Sequence, residues 1–292
     1  MAAAWACYGD LTAVSPAESR RIAEEVRAPW TRGGPRMAAI TELNVPAANG
    51  TVRVRFYDPG PDGTKPAFIY LHGGGWTFFS LDTHDRVMRE YAARAGVRVV
   101  GVDYALSPEA KYPVALEQVV AVARFLGERC ERIAIGGDSA GANLALATCL
   151  RLRDEGQPQL IRAMVLNYGV FDRESSPEAH RRFGGLGNML TSEEMEGFWR
   201  NYLRDARDAG DPLACPLRAE LHGLPPALLV VPECDLLTEQ SVRLADRLAA
   251  AGVPVKLEMY RGAVHSFLEA VSIAPIADRA LADTAAWLRA QE

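Results

Sequence analysis

The chain is short of cysteine, with five in 292 residues, and no two of them form a C-x-x-C pair. Cys7, Cys130, Cys149, Cys215 and Cys234 are odd in number and scattered. That excludes a disulfide framework. It predicts a reducing compartment, the cytoplasm, and five buried thiols. A dense Lys/Arg run is also missing, and the formal net charge is −5. Neither a nucleic-acid backbone nor an anionic membrane is expected as a partner. No stretch of about 18 consecutive apolar residues occurs, so no membrane span is expected. The opening MAAAWACYGD lacks a basic start and is interrupted by Asp10, so it reads as mature protein and not as a signal peptide. No His/Cys/Asp cluster has zinc-ligand spacing, and neither a metal nor a cofactor is expected. Internal repeats and low-complexity linkers are absent as well.

What is present is a large apolar fraction, 49%, against 24% charged residues, enough for one large α/β core. Eight strand-like runs follow one another. TELNV (41–45) and TVRVRFYD (51–58) alternate as half-buried, antiparallel strands do. AFIYL (67–71), VRVVGVDY (97–104), RIAIGG (132–137), AMVLNY (163–168) and ALLVVP (227–232) are more continuously apolar, and VKLEMY (255–260) closes the series. Apolar residues at helical spacing fill 81–95, 113–128, 140–153, 237–251 and 273–290. Strands alternating with helices predict a mostly parallel eight-stranded sheet covered on both faces. SPAESRRIAEEV, with a serine cap before proline, reads as a surface helix ended by TRGGPR. Residues 172–215 contain no strand-like run. They carry a capping signal, Thr191 with Glu194, before MEGFWRNYL. One domain over 1–292 is expected, with cap elements from 1–40 and 172–215. The final strand reads as a sheet edge, compatible with a monomer or a homodimer.

The stretch IAIGGDSAG (133–141) leaves an apolar run and sets Ser139 among glycines. Gly137-Asp138-Ser139-Ala140-Gly141 fits G-x-S-x-G between a strand and a helix. This is the sequence form of a strained elbow that lifts a serine hydroxyl clear of the sheet. The helix start behind it adds the positive end of a dipole. A serine hydroxyl needs a base, and the base needs an orienting acid. For this elbow both follow the serine in the chain, which leaves His180, His222 and His265. His265 comes after the last strand, at the sheet end where catalytic groups gather, and is the expected base. Asp235, in the loop ECDLLTEQ, is the expected acid. Glu233 and Glu239 are nearby alternatives, and a helix cap is the other reading of Asp235.

YLHGGGWTFFS (70–80) follows another buried strand. Successive glycines let backbone N–H groups approach a ligand with no Cβ in the way, as an oxyanion hole requires. Gly73, Gly74, Gly75 and Ala140 are the candidates, foremost Gly74, Gly75 and Ala140. His72 reads as a structural group within that loop. Trp76, Phe78, Phe79, Phe183, Leu186, Met189, Phe198 and Trp199, with Trp30, are candidates to line an apolar pocket, although an aromatic at helical spacing is more often core.

With HGGGW and GDSAG in place, the chain resembles the hormone-sensitive-lipase group of α/β-hydrolase esterases from about residue 50 onward. VDYALSPEAKYPVALEQ (102–118) is similar to a family segment that carries Arg where Ala105 stands, and Ser266 stands where the family often has Gly. The resemblance implies an α/β-hydrolase fold with a helical cap and no cofactor. It implies hydrolysis of short- to medium-chain acyl or aryl carboxylic esters by Ser139, His265 and Asp235, through an acyl-enzyme intermediate. It also implies that Glu109 and Asp138 help shape the site. The partner is then a small-molecule ester. An amide hydrolase of the same fold, arylformamidase-like, is the first alternative. A non-catalytic ligand-binding protein and a lyase using the same oxyanion hole are weaker ones.

Overall fold

A computed structural model describes residues 14–61 and 66–291. Cys7, the opening segment and the first part of the expected cap therefore lie outside the described residues.

The sheet is built from β1 (Ala39–Ala47), β2 (Gly50–Asp58), β3 (Ala67–Leu71), β4 (Arg98–Asp103), β5 (Ile133–Asp138), β6 (Ala163–Asn167), β7 (Ala227–Cys234) and β8 (Val255–Val264). Their order is β1-β2-β4-β3-β5-β6-β7-β8. The β1–β2 and β2–β4 pairs are antiparallel, and all the others are parallel. Every strand-like run of the sequence is a strand, and β8 lies at an edge as expected.

The central strands are apolar at both parities because both faces are covered. In β3, Ala67, Ile69 and Leu71 join one core, while Phe68 and Tyr70 join the other. β7 divides the same way, with Ala227, Leu229 and Val231 opposite Leu228 and Val230. The first core is closed by α3 (Val114–Gly127), α4 (Ala140–Asp154) and α7 (Thr238–Ala250). The second is closed by α2 (Asp85–Ala95) and α8 (Pro275–Arg289). Helix α2 starts four residues later than the sequence pattern suggests. The reason is local: Ser80 Oγ accepts from the N–H groups of Asp82 and Thr83, and Thr83 Oγ1 accepts from Ser80 N–H. Those side chains satisfy the backbone with a turn instead.

Helix α1 (Pro16–Thr31) is capped by Ser15, whose side chain accepts from Glu18 N–H. It is not wholly a surface helix, because Ser19, Ile22, Ala23, Val26 and Arg27 are buried. Residues 172–215 form α5 (Pro177–Phe183), α6 (Ser192–Tyr202) and short 3-10 turns, with no strand. The capping box of Thr191 and Glu194 is present. At the other end of α6, Lys111 Nζ donates to the carbonyls of Arg200, Asn201 and Leu203 at 2.9, 2.8 and 2.9 Å. Tyr112 N–H donates to Tyr202 O at 2.8 Å. Of the described cysteines, Cys149 and Cys215 are buried as expected, whereas Cys130 and Cys234 are partly exposed where an element ends. Among the described residues, no helix is long and apolar enough to cross a membrane.

Candidate active site

Strand β5 ends at Asp138, helix α4 begins at Ala140, and Ser139 makes the turn between them with φ 54° and ψ −116°. That is a strained conformation for a residue with a Cβ. The flanking glycines exist for contact. A Cβ on Gly137 or Gly141 would lie 2.2 or 1.9 Å from Leu71 O, so only glycine lets the elbow press against the end of β3. Ser139 N–H donates to Asn167 O at 2.9 Å, which ties the turn to β6 as well.

The loops after β7 and β8 bring Asp235 and His265 to this turn. His265 Nε2 lies 3.1 Å from Ser139 Oγ, and His265 Nδ1 lies 2.7 Å from Asp235 Oδ2. A carboxylate can only accept, so Nδ1 carries hydrogen and the neutral ring keeps its Nε2 lone pair for the hydroxyl. All three residues are buried. Burial pulls the His265 pKa down, but the Asp235 carboxylate outweighs it and the net direction is up. The other oxygen of Asp235 accepts from Leu237 N–H at 3.1 Å, so the capping reading of this residue also has substance. The alternatives are placed elsewhere. Glu233 accepts from Gly262 N–H, Glu239 holds Ser176, His180 contacts Ser192, and the His222 carbonyl accepts from Arg153. Ser266 adopts φ 60°, the left-handed region in which a glycine is unstrained.

The glycine loop runs from β3 toward the same end of the sheet. Gly74 and Gly75 have φ of 105° and 58°. Among the described residues, the N–H groups of Gly74, Gly75 and Ala140 make no hydrogen bond within the protein. Gly73 corrects the sequence expectation: its N–H donates to Asp138 Oδ1 at 3.1 Å and is not free for an oxyanion. His72 is structural. Its Nδ1 contacts Gly73 O at 2.8 Å, its ring stacks on Tyr104, and burial lowers its pKa to about 4.

The expected pocket residues separate into two groups. Trp76 and Trp199 are core. The Trp76 ring stacks on Tyr202 with centroids 4.0 Å apart and meets Trp199 at 4.8 Å, joining the glycine loop to α6. Phe198 lies over Gly75, where an added Cβ would meet its ring at 2.2 Å, and contacts Phe78 edge-on at 5.7 Å. Phe79 faces the Arg27 guanidinium at 4.3 Å. Phe183 lies beside Arg182, Met189 and Trp30 are half-buried, and Leu186 is exposed to solvent.

Two arginines of α1 were not legible as site residues. Arg20 donates to Thr77 O and Ser107 O, both at 2.8 Å, and pairs with exposed Glu109 at 2.6 Å. Glu109 thus shapes the glycine loop through Arg20. Arg27 forms a buried ion pair with Glu269, on the turn after His265. Next to that pair lies His84, with Nε2 3.4 Å from Asp138 Oδ2 and 3.8 Å from Glu269 Oε1. Searching only for histidines after Ser139 passes over His84, and the helical pattern of α1 gives no sign that Arg27 is buried.

The profile of a family described by its α/β-hydrolase fold matches residues 68–269. An acetyl esterase of Salmonella paratyphi A is 38% identical over 271 residues, covering 90% of this chain and 83% of the relative. Among solved structures, a thermophilic carboxylesterase from a metagenomic library has a TM-score of 0.92 at 33% identity, covering 96% of this chain and 98% of that one. The esterase of Pyrobaculum calidifontis has a TM-score of 0.90 at 30% identity, covering 95% and 93%. The chain therefore belongs to this α/β-hydrolase family, as a hydrolase of the carboxylesterase type.

Proposed function

We propose that the protein hydrolyses short-chain carboxylic esters through Ser139, His265 and Asp235. The observation that carries this reading is the unbroken line of contacts from Asp235 through both ring nitrogens of His265 to Ser139 Oγ. His265 takes the hydroxyl proton as Ser139 Oγ attacks the ester carbonyl. The free N–H groups of Gly74, Gly75 and Ala140 receive the oxyanion, each worth about 2.7–4 kcal/mol to the transition state. The protonated ring then delivers its proton to the leaving alcohol. Water repeats the sequence on the acyl-enzyme and releases the acid. Asp235 holds the tautomer and supports the ring while it is charged.

A short acyl group fits the rings of Phe198 and Phe78 crowding Gly75. The acetyl esterase relative supports the same range. Segments 14–40 and 172–215 act as the cap, with α1 and α6 fastened to the loops around the site. The test is turnover of p-nitrophenyl esters from acetate to dodecanoate, beside the matching N-acetyl anilide. Acetate or butyrate is expected to be best, and Ser139→Ala and His265→Ala are each expected to lose about a thousandfold or more. Variants as active as the parent would remove the triad reading, and a preference for the anilide would replace esterase with amidase.

A further inference from the structure

The proposed chemistry makes no use of His84, yet its ring is buried beside two carboxylates. Its contacts suit a ring with hydrogen on both nitrogens. Thr83 Oγ1 donates its one hydrogen to Ser80 O at 2.9 Å. Thr83 Oγ1 is also 2.9 Å from His84 Nδ1, and with its hydrogen on Ser80 O it offers that nitrogen a lone pair, which suits a protonated Nδ1. On the opposite edge, a lone pair on Nε2 would face Asp138 Oδ2 and Glu269 Oε1 out of reach of water. Asp138 itself is held as an acceptor, since Oδ1 takes hydrogen bonds from Tyr70 OH at 2.8 Å and from Gly73 N–H at 3.1 Å. Glu269 accepts from Arg27 through its other oxygen.

With hydrogen on both ring nitrogens, the buried group contains two cations, Arg27 and His84, and two anions, Asp138 and Glu269. Among these four the charges balance. Three of these residues, His84, Asp138 and Glu269, also have ligand atoms within 4.8 Å of one another. A divalent ion there would sit next to the Arg27 guanidinium and unbalance the set, so the geometry favours a proton. Among the other groups around His84, three are uncharged: His72 at 5.6 Å between ring centroids, the protonated phenol of Tyr70 at 6.5 Å and the Phe79 ring at 5.7 Å. The fourth is the partly buried carboxyl of Glu24 on α1, which burial pushes up and His84 draws down, a further anion on the side of the imidazolium. The titration directions agree. Burial pulls His84 down and Asp138 up, yet their mutual attraction reverses both shifts.

We propose that His84 is a standing imidazolium and a positioning residue of the active site. It stands between the carboxyls of Asp138 and Glu269 and offsets their charge. Asp138 then holds Gly73 N–H, and with it the glycine loop, while Glu269 fastens the turn after His265 to α1. Losing the cation leaves two buried carboxylates with Arg27 as the one cation of the group, an unfavourable arrangement that deforms both loops.

The kinetic arm of the test rests on the esterase reading, and the spectroscopic arm does not. Histidine-selective 15N spectra are recorded at pH 8 for the parent protein and for His265→Ala. One ring with both nitrogens protonated is expected in each, absent from His84→Gln. Only neutral rings in His265→Ala would overturn the proposal, as would stoichiometric metal in the purified parent. In steady state, His84→Gln is expected to lower kcat about tenfold with KM changed less than twofold. Adding Glu269→Gln leaves one cation, Arg27, and one anion, Asp138, in the group, and is expected to recover most of that loss. A double variant no better than the single one would make His84 a packing residue only. If His84→Gln does not fold, the His265→Ala spectrum still decides. Activity that survives Ser139→Ala would sink the esterase reading, while the protonation state of His84 would still be read from the spectra.

Discussion

Phe198 governs the room beside Gly75, and its ring already stands where any Cβ on that glycine would go. Replacing it with alanine removes the wall without touching the elbow. Phe198→Ala is expected to move the best substrate by two or more acyl carbons, measured as kcat/KM across the p-nitrophenyl ester series. An unchanged profile would place the acyl group elsewhere. Gly141 offers the opposite case, because its neighbour is the backbone carbonyl of Leu71 at the end of β3 and cannot swing away. Gly141→Ala is expected to destabilise the fold by about 3 kcal/mol, read by urea denaturation. Ser139 and His265 were legible because their signals are local: a glycine-flanked elbow on a strand end, and a histidine after the last strand. The role of Gly73 was not, because its N–H is taken by a side chain 65 residues away. Trp76 and Trp199 misled for a related reason, since side-chain type cannot tell a pocket wall from a ring stacked in the core.

At the scale of the element, α6 is held at its two ends by different means. Its start is self-contained, since Thr191 and Glu194 cap each other, and that motif was visible in the sequence. Its end depends on Lys111, whose ammonium takes three carbonyls that would otherwise lack partners. Spacing along the chain gives no hint of such a bond, because it crosses 89 to 92 residues. Lys111→Met is expected to speed amide exchange over residues 192–203 while β3 and β5 stay protected. Uniform protection in the variant would show that the tryptophan and tyrosine packing holds α6 by itself. The central strands were the most legible elements, since two covered faces write an apolar residue at nearly every position. The start of α2 was the least, because a serine and a threonine offered the backbone a competing turn.

Across the whole molecule, the buried histidines make stability and activity run in opposite directions with pH. His84 and His265 have raised pKa values, so the folded protein holds these protons more tightly than the unfolded chain. Their stabilisation is complete below the unfolded value, about 6.5, and is lost as pH rises through the folded value. His72 works the other way: lowered to about 4, it weakens the fold only as pH falls below about 6.5. The depressed Asp138 costs stability only at still more acid pH. The buried thiols and phenols, all shifted upward, enter only above about 8.5. Between pH 6.5 and 8 the urea midpoint is therefore expected to fall while kcat/KM climbs as His265 Nε2 is freed. A midpoint flat over that interval would mean that neither histidine is charged in the folded protein.

The ion pair of Arg27 with Glu269 joins residues 242 positions apart. During synthesis α1 leaves the ribosome well before Glu269 does. Until the turn Phe267–Ala270 is made, Ile22, Ala23 and Val26 have only part of their surface, that of α2, to cover. On the proposed mechanism Ser139 likewise waits for His265, so a nascent chain arrested before the last strand carries an inert serine. The ion pair and the proposed triad are thus completed by the same late stretch of chain, residues 265–269.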